Sequence, residues 1–360
     1  MKPHAPLPIT GLGCLTSLGH NARAHVAALA SAPPDFKPLG TLIDLPPSMA
    51  DVPAGWIMPR EMLSHRKWSP ATCATLHVAR QAIEDAAWSE DECRSAGIVF
   101  GTSRGTAAGW LDEWPGRRPF GLMAASNSLA SEPAAAVAHE FGIEGNWHVV
   151  SNGCCAGLDA LGTAAMWLHA GVVERVLVVS CDLPLARPIL DAYQSTGILA
   201  HGDEAGMIPS EGAAALCLET TSRHSHPRLV TYAAAGEPSA TLGAATELPG
   251  LRRLLGDLLP QHPAPTLCLP HESGTPAHSR REKEILTGQF EGRTPVLPLK
   301  PYTGHCVGAS GLIESVIACA ALGSQQSMGD TDLPKGSSVL KLSSAMGGKH
   351  SLALFDFPHE

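Results

Sequence analysis

Short apolar or alternating runs are interleaved along the chain with longer Ala-rich stretches of helical character, the pattern of a layered α/β protein whose helices cover mixed sheets. Strands are predicted at Pro8–Leu12, Gly97–Phe100, Trp147–Val150, Arg175–Val179, Ala213–Leu218, Leu229–Tyr232, Thr266–Leu269, Ser338–Leu342 and Leu352–Phe355. Helices are predicted between them, notably at Ala71–Ala87, Glu132–Phe141, Cys155–Ala170, Arg280–Gln289 and Ala309–Ala320. The segment Ala32–Pro59 is rich in proline and lacks periodicity, which reads as an ordered surface excursion. A second irregular stretch, Thr220–Pro227, is the expected seam between a half spanning 1–222 and a half spanning 223–360.

Composition narrows the class. With 360 residues, 44% of them hydrophobic, the chain can bury a large core. A net charge of -9 argues against a general nucleic-acid or membrane-surface binder, because polyanions would be repelled over most of the surface. The first residues have no continuous apolar stretch of the secretory type, and no run is expected to reach the ~18 apolar residues of a membrane span. Ten scattered cysteines without a CxxC pair suggest a reducing cytoplasm and no structural zinc or other metal.

The chemistry-bearing residues fall in three places. His148-Val-Val-Ser-Asn-Gly-Cys-Cys-Ala-Gly puts two cysteines between a buried-type strand and an Ala-rich helix. The unpaired N–H groups and macrodipole at a helix start favour negative charge, so a thiol there is expected to ionise more readily. Either Cys154 or Cys155 fits that argument, and either also fits a small core side chain. His271 follows an apolar strand on the turn His-Glu-Ser-Gly-Thr-Pro, where a side chain can project into a cleft. His305 sits between Gly304 and a helix, with Lys300 upstream and Glu314 downstream.

Together these segments resemble the beta-ketoacyl-acyl carrier protein synthases of the thiolase superfamily, elongating ketosynthases. The opening Ile-Thr-Gly-Leu-Gly-Cys-Leu-Thr-Ser-Leu-Gly is similar to that family's first strand and turn, and Gly101-Thr-Ser to the turn before its dimer-forming region. The register Ser, x, Ala/Gly, Cys, x, x, Gly aligns Cys154, and not Cys155, with the acylated cysteine. His271-Glu-Ser-Gly-Thr-Pro resembles His-Gly-Thr-Gly-Thr-Pro, with Glu282 at the downstream acidic position. Lys300 to His305 matches Lys-x-x-x-Gly-His, Glu314 falls on the acidic position that pairs with the lysine, and Ala345-Met-Gly-Gly resembles the C-terminal Gly-Phe-Gly-Gly turn. Motifs in family order along the whole chain are far more specific than any one of them.

The resemblance implies a thiolase-like five-layered αβαβα sandwich of two related halves, working as a homodimer or with a second ketosynthase-like subunit. It implies that Cys154 takes an acyl group from the phosphopantetheine of an acyl carrier protein, with no bound cofactor. The backbone N–H groups of Cys154 and Met346, on the turn completed by Gly347 and Gly348, would hold the oxyanion. His271 and His305 would stabilise the enolate left by malonyl decarboxylation, and Lys300 paired with Glu314 would orient them. Arg60, Arg66 and Lys67 form the basic cluster where a docking helix for the acidic carrier is expected. This sequence departs from the pattern at Met346 and Ser344, where the family has phenylalanine, at Glu272 in place of glycine, at Ser279 in place of an acidic residue, and in the short stretch Asp191–Met207. Two rivals remain: a thiolase, with Cys306 of Gly-His-Cys-Val-Gly-Ala-Ser-Gly as a second catalytic cysteine, and a non-catalytic, chain-length-setting partner subunit.

Overall fold

A computed structural model describes residues 4–112, 114, 118–202, 204–222, 224–237 and 247–359. Residue 223, the expected start of the second half, lies outside the described residues, as does residue 203 of the short stretch Asp191–Met207. The strands in chain order are β1 (Leu7–Thr16), β2 (Lys37–Pro38), β3 (Pro53–Ala54), β4 (Gly97–Gly101), β5 (Trp147–Val150), β6 (Arg175–Asp182), β7 (Gly212–Glu219), β8 (Arg228–Gly236), β9 (Leu267–Leu269), β10 (Ser338–Ala345) and β11 (Lys349–Asp356). All nine strand regions read from the sequence are present; seven are longer at one or both ends, Trp147–Val150 matches, and β9 is one residue shorter. The proline-rich excursion holds the short pair β2 and β3, a 3-10 turn at Leu39–Thr41 and a one-turn helix at Pro47–Ala50, and is anchored by Leu39, Met49 and Val52 in an apolar cluster with Tyr193.

The order β5-β4-β6-β7-β1-β8-β11-β10-β9 is continuous because Leu7 and Pro8 pair with Leu229 and Arg228. On either side of that junction the same arrangement recurs. In the first half β7 runs antiparallel to β1 and β6, while β4 is parallel to β6 and β5. In the second half β11 runs antiparallel to β8 and β10, β9 is parallel to β10, and a parallel bridge joins Cys268 to Val296 beyond β9.

Alternation along the strands builds the layers. Val99, Val176 and Val178 face a central apolar cluster that also takes Leu267, Val339 and Phe355 from the second half. Their neighbours Ile98, Phe100, Leu177 and Val179 face away, onto helices Pro70–Ala86 and Glu132–Phe141. Leu340, Leu342, Leu352 and Leu354 likewise meet helices Pro249–Leu258 and Pro276–Phe290 on the far side. Helices Ala156–His169 and Ser310–Ser324 fill the centre, so the five layers that the family resemblance implies are formed.

The central helices approach through glycine. A Cβ on Gly157 would lie 2.9 Å from the Gly308 carbonyl oxygen and 3.0 Å from the Leu312 Cβ, and one on Gly311 3.2 Å from the Leu158 Cβ. The same burial corrects one expectation. Residues Val307–Ser324 do form an 18-residue apolar run of mean hydropathy 1.5, but 83% of it is buried inside the fold, as in a core helix.

Candidate active site

The two central helices begin side by side, and their starts carry the thiol and one imidazole. After β5 the chain turns at Gly153, whose φ of +56° is a left-handed conformation that glycine adopts without strain. The tight turn Gly153–Cys155 then leads into helix Ala156–His169. Space is set by a second glycine, since a Cβ on Gly101 at the end of β4 would lie 2.5 Å from the Ala156 carbonyl oxygen. His305 is placed by backbone pairing: its N–H donates to the Ile208 carbonyl at 2.8 Å, and its carbonyl accepts from Ser210 at 3.1 Å. Gly304 is needed there because any side chain would collide with the Ser210 hydroxyl.

Cys154, His271 and His305 converge, with one donor atom from each lying within 4.8 Å of the other two. The rings of His271 and His305 meet edge to face with centroids 5.3 Å apart. Ser310, one turn on, lies 3.1 Å from His305 Nδ1. If its hydroxyl donates, Nδ1 is the acceptor and Nε2 keeps the proton for display. Cys155 is excluded from the set: its thiol is fully buried and faces the Lys349 carbonyl at 3.5 Å. Cys306, the cysteine of the thiolase reading, is also fully buried, with its thiol 3.8 Å from the Thr303 carbonyl oxygen.

Behind the histidines lies a buried ionic clamp. Lys300 donates to Glu314 Oε1 at 2.8 Å, the pairing expected from the sequence, and to the His271 carbonyl. Glu314 Oε2 accepts at 2.5 Å from a second lysine, Lys341, which also donates to the Pro270 carbonyl at 2.9 Å. Glu282 completes the hold on this loop by accepting from the backbone N–H groups of His271 and Glu272, both at 2.7 Å. Glu272 pays no glycine's role lightly: its φ of +40° is in the left-handed region that a non-glycine residue adopts at a cost.

Burial and these cations set the protonation states. Desolvation first, then the charge of Lys300, hold the pKa of both His271 and His305 well below the usual imidazole range, so both are neutral at pH 7. The thiol differs from the sequence expectation. Burial pushes the Cys154 pKa up to about 11, more than Lys300 and Arg104 lower it. Cys154 therefore rests as a thiol, and a nucleophilic role for it would require a proton acceptor. Because the thiolate fraction grows tenfold per pH unit below the pKa, alkylation of Cys154 by iodoacetamide should keep rising from pH 7 to 9. A plateau below pH 8, read by intact mass, would show that the helix start outweighs burial.

Sequence reasoning missed several members of the site. Lys341 was hidden in an apolar strand, where a single lysine reads as outward-facing. Asp182, at the end of β6, is buried and accepts from the Thr102 hydroxyl at 3.1 Å and from the N–H groups of Ser103 and Arg104 at 2.8 and 2.7 Å. Burial raises its pKa to about 6 against the pull of these donors. Met346 is on the turn after β10, next to Ala345, whose Cβ lies 3.4 Å from where a Gly153 Cβ would be. Met346 is 62% exposed, and Gly347 and Gly348 follow with φ of +86° and +76°.

The basic cluster is divided by the fold. Arg60 turns inward, paired with the buried Glu211 and stacked on Trp114 with its guanidinium carbon 4.6 Å from the ring centroid. Arg66 and Lys67 are exposed, on an irregular bend ahead of helix Pro70–Ala86 and not on a helix of their own. The three-donor set also has the spacing of a metal site, but the ammonium groups of Lys300 and Lys341 behind it disfavour a further cation.

A family model described as beta-ketoacyl synthase, N-terminal domain, matches residues 5–224. A tetracenomycin polyketide synthase ketoacyl synthase alpha subunit from Streptomyces glaucescens is 30% identical over 220 residues, covering 51% of this chain and 49% of the relative. The chain spans about half the length of the first curated relatives it matches, 52% of one from Streptomyces cyaneus. A longer match, to the 3-oxoacyl-acyl-carrier-protein synthase 2 of Rhizobium meliloti, is 22% identical over 370 residues and covers 87% of this chain and 85% of the relative. Among solved structures, a type II polyketide ketosynthase in complex with its acyl-carrier protein has a TM-score of 0.79 at 21% identity, covering 99% of this chain and 100% of that one. A ketosynthase in complex with its chain length factor from Xenorhabdus doucetiae has a TM-score of 0.76 at 18% identity, with coverage of 99% and 100%.

Proposed function

The chain belongs to the beta-ketoacyl synthase family, and from that premise we propose that it catalyses decarboxylative Claisen condensation of an acyl group held on Cys154 with a malonyl group on an acyl carrier protein. The observation that carries this reading is one thiol facing two neutral imidazoles over a buried lysine–glutamate clamp. A single-base cysteine hydrolase has no use for the second imidazole.

In the first half-reaction the Cys154 proton passes to a neutral imidazole as sulfur attacks the thioester carbonyl. The backbone N–H groups of Cys154 and Met346 hold the oxyanion, and its collapse expels the carrier thiolate, which takes up the proton. In the second, the malonyl carboxylate leaves as carbon dioxide and its bonding electrons pass to an enolate. The N–H groups of His271 and His305 donate to the enolate oxygen, which neutral imidazoles can do without first binding a proton. The enolate carbon attacks the acyl carbonyl, the C–S bond breaks, and the Cys154 thiolate takes up a proton from solvent water.

Acyl groups arrive on phosphopantetheine, with no resident cofactor, in a cytoplasmic pathway of fatty acid or specialised polyketide synthesis. The two halves divide at 222/223. Trp110, Leu122 and Leu129, all exposed in the region after the Gly101 turn, supply an apolar face for a second copy of the chain or for a ketosynthase-like partner subunit.

The direct test is intact-mass spectrometry after incubation with acyl-carrier thioesters of differing chain length, followed by addition of malonyl carrier. An acyl adduct that is discharged as a β-ketoacyl product is expected. A folded protein that takes no acyl group from any donor would favour the non-catalytic partner subunit. Carrier recognition is separable: Arg66→Glu with Lys67→Glu should slow loading from carrier-bound donors about tenfold and leave loading from small soluble thioesters unchanged. Equal rates from both donors in wild type and variant would place docking elsewhere.

A further inference from the structure

Arg104 follows the Thr102-Ser103 turn, and its backbone N–H is fixed on Asp182 at 2.7 Å. Its guanidinium donates to the Tyr193 hydroxyl at 3.0 Å and lies 5.6 Å from that ring's centroid. Among the described residues no carboxylate comes within ion-pairing distance of it, whereas Arg60, Arg175, Arg187 and Arg228 all have one. Asp182 acts on this cation only through space, and the segment that carries Arg104 runs close to the one that carries Cys154. A Cβ on Gly308 would be 2.6 Å from Asp182 Oδ2, 2.7 Å from the Ser103 nitrogen and 2.9 Å from the Gly153 carbonyl oxygen, so the residues just before Arg104 and just before Cys154 share one point of contact. The charges of Arg104 and of the Cys154 thiolate act on each other accordingly. The other side of the pair is apolar: Tyr193 lies on helix Arg187–Ser195 and packs with Ala186, Ile189, Leu190 and Met207.

A saturated acyl chain running past this pair would set methylene groups against a guanidinium and gain nothing from it. An oxygen on the chain would accept a charge-assisted hydrogen bond from this exposed guanidinium, a bond about twice as strong as a neutral one. Resting on the acyl-enzyme reading above, we propose that Arg104 and Tyr193 form a specificity subsite beside Cys154 that recognises oxygen on the acyl chain. The group carried is then an oxo- or hydroxyacyl chain in preference to a saturated one, and the reaction that supplies it leaves that oxygen unreduced.

The test compares Cys154 acylation rates by intact mass for N-acetylcysteamine thioesters of hexanoate, 3-oxohexanoate and 5-oxohexanoate. In wild type at least one oxo donor should load faster than hexanoate. Arg104→Leu should shrink that ratio about tenfold or more, with Arg104→Lys restoring part of it and Tyr193→Phe giving a smaller loss. An unchanged ratio in a folded Arg104→Leu protein overturns the subsite and leaves the acyl-enzyme intact, making Arg104 a brace for Tyr193. No adduct from any of the three donors overturns both readings, and a wild type that prefers hexanoate overturns the subsite alone.

Discussion

A chain carrying Cys154→Ala should take up no acyl group from any thioester donor, and its condensation rate should fall by ~1000-fold or more, as expected when a covalent route is closed. The geometry makes this a sharp expectation, because only Cys154 of the adjacent pair shares the 4.8 Å cluster with His271 and His305. Cys155, fully buried and turned to the Lys349 carbonyl, serves as the internal control, and Cys155→Ala should load at close to the wild-type rate. Intact-mass spectra of the three proteins after donor incubation decide the matter. An adduct of undiminished yield on the Cys154→Ala protein would move the nucleophile and with it the whole reading of the site. Residual malonyl decarboxylation without condensation is compatible with the alanine variant, since the two imidazoles proposed to hold the enolate are still present.

What could be read from the sequence followed from how local each signal is. Strands β4 to β7 carry dense apolar runs, and Glu132–Phe141 is a helix with an Ala-rich face, so both were visible in a short window. Cys154, His271 and His305 were legible because each sits on a glycine-marked turn after a strand or before a helix, but nothing local showed that three segments so far apart in the chain meet at one point. Lys341 was invisible for the opposite reason. In Val-Leu-Lys-Leu the lysine has the position of a solvent-facing residue, and only the approach of Ser310–Ser324 with Glu314 encloses it. Arg104 and Tyr193 were missed because a lone arginine on a turn and a tyrosine in a short, proline-started helix have no pattern of their own. The thiol's ionisation was misjudged because helix position can be read from sequence, whereas the extent of desolvation is a property of the assembled layers.

The other large effect should come from Glu314→Gln, which leaves the side chain's size intact and removes its charge. Glu314 is wholly enclosed and is the shared acceptor for Lys300 and Lys341, so the variant buries two ammonium groups against an amide and two carbonyls. Breaking a buried ion pair from one side typically costs about 3–5 kcal/mol, more than most single substitutions. Thermal unfolding should therefore begin several degrees lower. The loss should also depend on pH with a definite sign. Burial already lowers the Lys341 pKa even with Glu314 beside it, and removing the carboxylate lowers it further below its unfolded value. The unfolded chain then binds more protons than the folded one between those two values, so the variant should recover stability as pH rises through that window and be weakest near neutrality. Glu314→Gln combined with Lys341→Met, which removes one of the stranded cations, should regain part of the loss at pH 7. A Glu314→Gln protein that melts with wild type across that range would mean that water, and not the carboxylate, compensates the two lysines. The same variant tests the link to chemistry, because Lys300 and Lys341 clamp the carbonyls of His271 and Pro270 through this carboxylate. Loading of Cys154 should survive in it better than condensation does, since the thiol is held by the glycine turn of the first half while the His271 loop is held by the clamp.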